Sequence, residues 1–353
     1  MKHWWLRIGV CALLLIIFAA GAIRLYWDPI ADYVFERFAR QVFADPEMLR
    51  DGALHVFLCG TAGPVGGPDQ RSACSAVVAD GEMLLVDAGS GGPLYAGARG
   101  MPMRQLSTIL VTHLHHDHIS GLADAIHGSW FIGRTRPIAV YGPPGIDRVM
   151  RGLSIAYAED RRLRQLPGGG GLDARWAIPS VHVVEIPDDE SVLVFERGRL
   201  RVRAFRVDHG PIAAAYGYRI ELADRAAVFN GDGRADERTI QHAKGADLLV
   251  HGTIPFQWAM DAERLERTID RLDVNFPDAQ RVTNLFSNPV DIARAAQAAG
   301  VASLVFSHRM PTPSALNWLA LWGVSDVYEG TARMGDEGMR FTFETSGPNS
   351  APE

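Results

Sequence analysis

The stretch Thr112-His113-Leu114-His115-His116-Asp117-His118-Ile119-Ser120-Gly121-Leu122 constrains this chain more than any other. His113, His115, Asp117 and His118 place four ligand-type side chains within six positions, closer together than one face of a regular helix allows. Ahead of them, Leu106-Ser107-Thr108-Ile109-Leu110-Val111 is apolar and partly β-branched, the pattern of a buried strand. Behind them, Gly121-Leu122-Ala123-Asp124-Ala125-Ile126 reads as the opening turns of a helix. A strand that ends in a loop of imidazoles and a carboxylate is a shape for holding metal at the mouth of a sheet. Imidazole suits zinc, with manganese or iron as other candidates. Two such ions sharing a bridging oxygen produce hydroxide at neutral pH. The bland alternative is scattered polar residues in a loop, and the density of ligand types argues against it.

The rest of the chain has the material for a large sheet protein. Its 353 residues are 47% hydrophobic, enough for one α/β domain with additions or for two smaller domains. A net charge of −6 gives no whole-molecule field that favours nucleic acid. The first residues read as a targeting segment, 1–27: Lys2 and Arg7 precede an apolar run over 8–23, closed by Arg24, Tyr26 and Trp27. We read it as an uncleaved inner-membrane anchor with the rest of the chain outside the cytoplasm; cleavage after Ala22 and secretion is the alternative. Ile30, Val34, Phe35, Phe38 and Val42 then fall at helical spacing, which predicts an amphipathic linker helix within 28–51. The main domain is expected over 52–345, with a frayed tail at 346–353.

Cys11 lies in the apolar run, while Cys59 and Cys74 fall at the facing ends of two predicted strands. An exported location permits a disulfide between them, and two small core fillers are the other reading. Ser75-Ala76-Val77-Val78-Ala79 and Met83-Leu84-Leu85-Val86-Asp87 predict a hairpin around the turn pair Asp80-Gly81. Over 151–200 the composition shifts: Arg161, Arg162 and Arg164 precede a run of four glycines. A solvated helix and loop is one reading, and a basic lid over an anionic substrate is the other. Further strands are expected to deliver Asp208-His209-Gly210, Asn230-Gly231-Asp232 and Ser307-His308.

The spacing His-x-His-x-Asp-His resembles the signature of the metallo-β-lactamase fold superfamily, and the surrounding motifs resemble its ribonuclease Z/arylsulfatase-like branch. These motifs are a strand ending in Gly60-Thr61-Ala62-Gly63, Asp87-Ala88-Gly89, Tyr141-Gly142-Pro143, His209-Gly210 before Gly217-Tyr218-Arg219, Gly231-Asp232 and Val250-His251-Gly252-Thr253. The resemblance implies an αββα sandwich of two mixed sheets flanked by helices. It also implies two divalent metal ions: His113, His115 and His209 on one, Asp117, His118 and His308 on the other, with Asp232 and a hydroxide bridging them. Asp117, Asp232 and His118 are then the residues nearest the chemistry, and Asp87 and His251 support the ligands from behind.

The resemblance breaks at the substrate side. Ribonuclease Z enzymes carry a His-Ser-Thr segment with a catalytic histidine; the equivalent stretch here is Ser287-Asn288-Pro289, without one. Only 22 residues separate His209 from Asp232, too few for a long tRNA-binding arm. The chain therefore looks unlike a true tRNA-processing enzyme, and no stable nucleic-acid partner is expected. The reading is a hydrolase of a small anionic phosphodiester or sulfate ester, with His116 and His182 as candidate proton donors. The alternatives are a lactonase or β-lactamase, and an inactive membrane-tethered metal-binding module.

Overall fold

The computed structural model describes residues 2–43, 46–67, 69–168, 170–188, 190–254, 285–309 and 316–346, with a few single positions between 263 and 271. The chain divides into two units, Met1–Asp45 and Pro46–Glu353. The first is a single helix, Lys2–Phe43, with Pro29 inside it. The sequence reading put separate segments at 1–27 and 28–51, but the helix runs through that junction. Proline removes one backbone donor, and the helical spacing on both sides carries the helix across it. Within it, Ile8–Arg40 is long and apolar enough to cross a membrane by length and composition, with a mean hydropathy of 2.5 in its most apolar window.

The second unit is built on two mixed sheets. The first contains β1 (Leu54–Gly60), β2 (Cys74–Ala79), β3 (Glu82–Val86), β4 (Leu106–Leu110), β5 (Ala139–Gly142) and β6 (Ser180–Val183). The second contains β7 (Ser191–Arg197), β8 (Leu200–Arg206), β9 (Tyr216–Leu222), β10 (Arg225–Phe229), β11 (Leu248–Gly252), β12 (Ser303–Ser307) and β13 (Thr331–Met334). The last strand, β14 (Arg340–Phe343), returns to the first sheet beside β1. The strand orders are β14-β1-β2-β3-β4-β5-β6 and β13-β12-β11-β10-β9-β8-β7. Each sheet is antiparallel in one part and parallel in the other.

Side-chain alternation sets the layers. Leu200, Val202 and Ala204 of β8 and Tyr216, Tyr218, Ile220 and Leu222 of β9 meet Val56, Val77 and Leu84 between the sheets. The opposite face of the first sheet packs Ile109, Val111 and Val140 against Leu122, Ile126, Ile146 and Met150. Beyond the second sheet, Val228, Leu249 and Leu304 pack against Ile292, Ala293 and Ala296 of the helix Pro289–Ala299. This is the αββα sandwich.

Local expectations can be checked against it. The β2–β3 hairpin turns at Asp80 (φ 50°) and Gly81 (φ 79°), both left-handed as a type I′ turn requires. The helix after the ligand loop starts earlier than expected, at His116, and becomes a π-turn over Asp124–Gly128. Cys59 and Cys74 form a disulfide with Cα atoms 5.0 Å apart, so they are not free core fillers. In the 151–200 region, Arg162 pairs with Glu159, Arg164 pairs with Asp160, and Arg161 donates to the Ser154 carbonyl. Arg162 and Arg164 are engaged within their own helix and Arg161 with the helix before it, which fits the solvated-helix reading. Strands β6 and β7 were not among the expected strands; they are the edge strands of their sheets, β6 mostly exposed and β7 partly so. Of the tail at 346–353, only Ser346 is among the described residues; it bonds Asp224.

Candidate metal centre

Every residue expected at the site lies at or just beyond the carboxyl end of a strand. Asp87 follows β3, His113 follows β4, His209 follows β8, Asp232 follows β10, His251 is in β11 and His308 follows β12. Strands that run parallel in the middle of each sheet bring these ends to one edge of the sandwich.

There, the side chains converge in three overlapping groups that could hold a metal ion: His113, His115 and His209; His113, His118 and Asp232; Asp117, His118 and His308. Asp232 Oδ2 lies 3.0 Å from His308 Nε2, 3.4 Å from His118 Nε2 and 4.0 Å from His113 Nε2, so it reaches both halves. Asp117 Oδ2 stands 2.9 Å from His308 Nε2 and 3.5 Å from His118 Nε2. His113, Asp117, His118, His209, Asp232 and His308 are all buried, while His115 is exposed at the mouth.

The electrostatics call for a cation. Burial opposes ionisation of Asp117 and Asp232, yet His308 and His118 outweigh it and hold both carboxyls below the usual range. Burial lowers the pKa of His113, His115 and His209 and keeps them neutral, the state in which imidazole binds metal. His118 goes the other way: burial works against its proton, but Asp87 and Asp232 pull the pKa well above that of ordinary histidine. A divalent ion would replace that proton as the positive charge between the carboxylates. His118 Nε2, His209 Nε2 and Asp232 Oδ1 are buried without a hydrogen-bond partner, which is costly unless something else ligates them. The donor set fits divalent cations.

Behind the ligands, Asp87 accepts from the Thr112 amide (2.8 Å) and hydroxyl (2.9 Å) and contacts His118 Nδ1 at 2.8 Å. This fixes the ring so that Nε2 faces the centre. His251 is fully buried and belongs to none of the three groups. Its Nδ1 donates to the Gly252 carbonyl (2.7 Å), and its Nε2 accepts from the Asn230 amide (2.9 Å). Asn230 in turn accepts from Thr239 Oγ1 (3.1 Å), so the chain Thr239, Asn230, His251 holds the turn that presents Asp232. Gly252 is part of that fit: a Cβ there would lie 2.8 Å from the Gly231 carbonyl and 3.1 Å from Asp232 Oδ1. Asp87 (φ 60°) and His308 (φ 52°) are in the left-handed region, backbone strain of about 1 kcal/mol each, concentrated at the site.

Sequence reasoning missed three residues. Thr112 and Asn230 stand inside the ligand motifs, but nothing in the sequence marks the roles they have. Phe286 carried no signal, yet its ring stacks on His308 (5.6 Å between centroids) and meets His209 edge-on (5.7 Å). The Leu285 carbonyl also faces His209 Nδ1 at 3.4 Å. The segment expected at Ser287-Asn288-Pro289 therefore reaches the site one residue earlier, with Phe286. Asn288 instead caps the helix Pro289–Ala299 through the Val290 and Asp291 amides. Of the candidate proton donors, His116 is 75% exposed at the mouth, 3.8 Å from Asp117. His182 is on β6, stacked on Tyr141 (4.6 Å), and belongs to none of the ligand groups.

Comparison with known proteins agrees with this arrangement. A family described as the beta-lactamase superfamily domain matches residues 83–309. A ribonuclease Z from Mycobacterium marinum is 32% identical over 266 residues, 73% of this chain and 87% of that protein. Among solved structures, the short form of human tRNase Z aligns with a TM-score of 0.59 at 19% identity, covering 82% of this chain and 99% of that one. Zinc-bound PqqB from Methylobacterium extorquens aligns with a TM-score of 0.58 at 17% identity, covering 81% and 99%. At those identities the two structures speak for the fold. The family match and the ribonuclease Z relative show that this chain belongs to the metallo-β-lactamase superfamily of hydrolases, among the relatives of ribonuclease Z.

Proposed function

We propose that this hydrolase binds two divalent ions, zinc foremost, and cleaves a small phosphodiester or sulfate ester. One observation carries the reading: Asp232 Oδ2 lies within 4.0 Å of His113, from the first ligand group, and of His118 and His308, from the last. In this assignment His113, His115 and His209 hold one ion, Asp117, His118 and His308 hold the other, and Asp232 bridges. Bound ions would supply an activated water and polarise the ester oxygens. The chain's own residues orient the ligands through Asp87 and Thr112, keep His113, His115 and His209 neutral by burial, and wall the centre with Phe286.

Phe286 bears on the substrate. It packs against His209 and His308 beside the segment where the ribonuclease Z resemblance expects a catalytic histidine, and a phenyl ring donates no proton. His116, exposed beside Asp117, is the donor nearest the mouth. The reading therefore favours esters whose leaving group departs without strong acid help, such as aryl esters. The ribonuclease Z relatives favour a second reading, cleavage of an RNA phosphodiester, and that must be an arm of the test. We also propose that the helix Lys2–Phe43 anchors the protein in a membrane, with the hydrolase unit on the oxidising side. The apolar span and the Cys59–Cys74 disulfide support this.

The test is a panel on zinc-loaded protein: bis(p-nitrophenyl) phosphate, p-nitrophenyl sulfate, a chromogenic lactone and β-lactam, and a precursor tRNA. Asp117→Ala is the control. Hydrolysis of the phosphodiester or sulfate, abolished by Asp117→Ala, is expected. Turnover of the lactone or β-lactam alone would overturn the ester assignment, and efficient tRNA cleavage would move the function to the second reading.

A further inference from the structure

The ring of His308 has little freedom at the centre. Its Nε2 lies 2.9 Å from Asp117 Oδ2 and 3.0 Å from Asp232 Oδ2. Phe286 stacks on the ring with 5.6 Å between centroids, and His118 stacks at 5.2 Å with 24° between the planes. One further neighbour, Gly63, is buried and has no side chain. A Cβ at Gly63 would lie 2.8 Å from His308 Cε1, 3.2 Å from Nδ1 and 3.3 Å from Nε2. Carbon atoms in ordinary contact stand about 3.5–4.0 Å apart, so any side chain at 63 would drive into the imidazole.

The backbone at 63 is not free to retreat. The Arg309 amide donates to the Thr61 carbonyl (2.9 Å) and the Gly63 amide donates to the Arg309 carbonyl (3.4 Å), so 61–63 runs beside the residue that follows His308. On the other side, the Ala62 amide donates to the Arg71 carbonyl (2.9 Å). Gly60 is packed so closely that a Cβ there would fall 1.8 Å from the Ser72 carbonyl oxygen. The Cys59–Cys74 disulfide closes this loop at its base, one residue before Gly60 and two after Ser72. Arg309 is itself fixed, paired with Asp336 and donating to Asn317 Oδ1 (3.2 Å). With the loop pinned, relief of a contact at 63 falls on the His308 ring. Swinging that ring aside takes Nε2 away from Asp117 and Asp232.

We propose that Gly63 is a positioning residue for His308, and through it for the half of the metal centre formed by Asp117, His118 and His308. The three atoms nearest to a Cβ at 63 all belong to His308, so the requirement for bare backbone is specific to that half. Moving Cε1 out to ordinary contact is a shift of about 0.7 Å. Metal–ligand distances tolerate only about 0.2 Å. The inference deepens the two-ion reading and rests on it for the ion; the contact between Gly63 and His308 stands without it.

The test compares Gly63→Ala with Gly152→Ala, a helical position where a Cβ meets nothing. After zinc loading and desalting, the unaltered protein and Gly152→Ala should hold two ions, and Gly63→Ala one. In chelator competition, Gly63→Ala should lose about a hundredfold in one affinity and less than threefold in the other. Two ions at unaltered affinity in Gly63→Ala would overturn the proposal. Loss of both ions together, with a lowered Tm of the metal-free protein, would make 63 a folding position and overturn it as well. A second arm needs no metal: NMR on the metal-free unaltered protein should show a nuclear Overhauser contact between His308 Hε1 and the Gly63 α protons. In metal-free Gly63→Ala the His308 ring signals should shift while those of His113 and His115 stay. If the unaltered protein takes up fewer than two ions, the dinuclear reading fails and this arm decides the role of Gly63. No Overhauser contact would overturn that role, whether or not Gly63→Ala folds.

Discussion

His251 offers a pH test of how the Asp232 turn is held. Burial pushes its pKa down to about 4, against the smaller pulls of the Gly252 carbonyl, Asp232 and Asp236. In the unfolded chain it titrates near the ordinary value of about 6.5. Between these values the unfolded state carries a proton that the folded state lacks, so stability falls as pH is lowered through the window. It is complete above about 6.5 and levels off below about 4. A gap of roughly 2.5 units at 1.36 kcal/mol each makes about 3 kcal/mol. His251→Gln keeps a donor and an acceptor at the same reach but cannot take the proton. The informative quantity is the Tm difference between the two proteins, measured from pH 7.5 to 4.5 after metal removal, so that contributions from other histidines cancel. The unaltered protein should start more stable and lose on the order of 5 °C of its advantage. Parallel Tm curves would show that His251 is not held neutral between Asn230 and Gly252.

Three other outcomes follow from the site. Thr112→Val removes the hydroxyl that donates to Asp87 and lies 3.1 Å from His113 Nδ1, and should weaken metal affinity about tenfold or more in chelator competition, with little change in fold by circular dichroism. Reducing the Cys59–Cys74 disulfide, which spans 15 positions, should cost about 3 kcal/mol of stability, and a Cys59→Ser, Cys74→Ser variant should show that lower Tm with or without reductant. Phe286→His, which places an imidazole against His209 and His308, should flatten the dependence of rate on leaving-group pKa; an unchanged dependence would mean that the ring does not face the leaving group.

Much of this was legible in the sequence wherever function and local pattern coincide. The loop from His113 to His118 packs its ligands within six positions, and the hairpin at Asp80-Gly81 needs only its own turn residues. His209, Asp232 and His308 each end an apolar strand, but it was the resemblance of their motifs to the metallo-β-lactamase family that assigned them. What was hidden depends on tertiary neighbours. Phe286 matters because the chain brings it against two histidines far away in sequence, and an isolated phenylalanine has no signature for that. Thr112 and Asn230 are common residue types whose roles exist only once Asp87 and His251 face them. The arginines at 161–164 left two readings open, a solvated helix or a basic lid, and the choice lay in glutamate and aspartate one turn away, which engage two of them. The junction at Pro29 shows that a proline in a strongly helical sequence need not end a helix.

The central claim is a dinuclear centre bridged by Asp232, and metal stoichiometry tests it most directly. Purified protein equilibrated with zinc, desalted and measured by inductively coupled plasma mass spectrometry should hold two ions per chain. Asp232→Ala, with its carboxylate removed from both halves, should hold one or fewer. One ion per chain in the unaltered protein, or two in Asp232→Ala, would contradict the bridge, and none would contradict the metal centre itself.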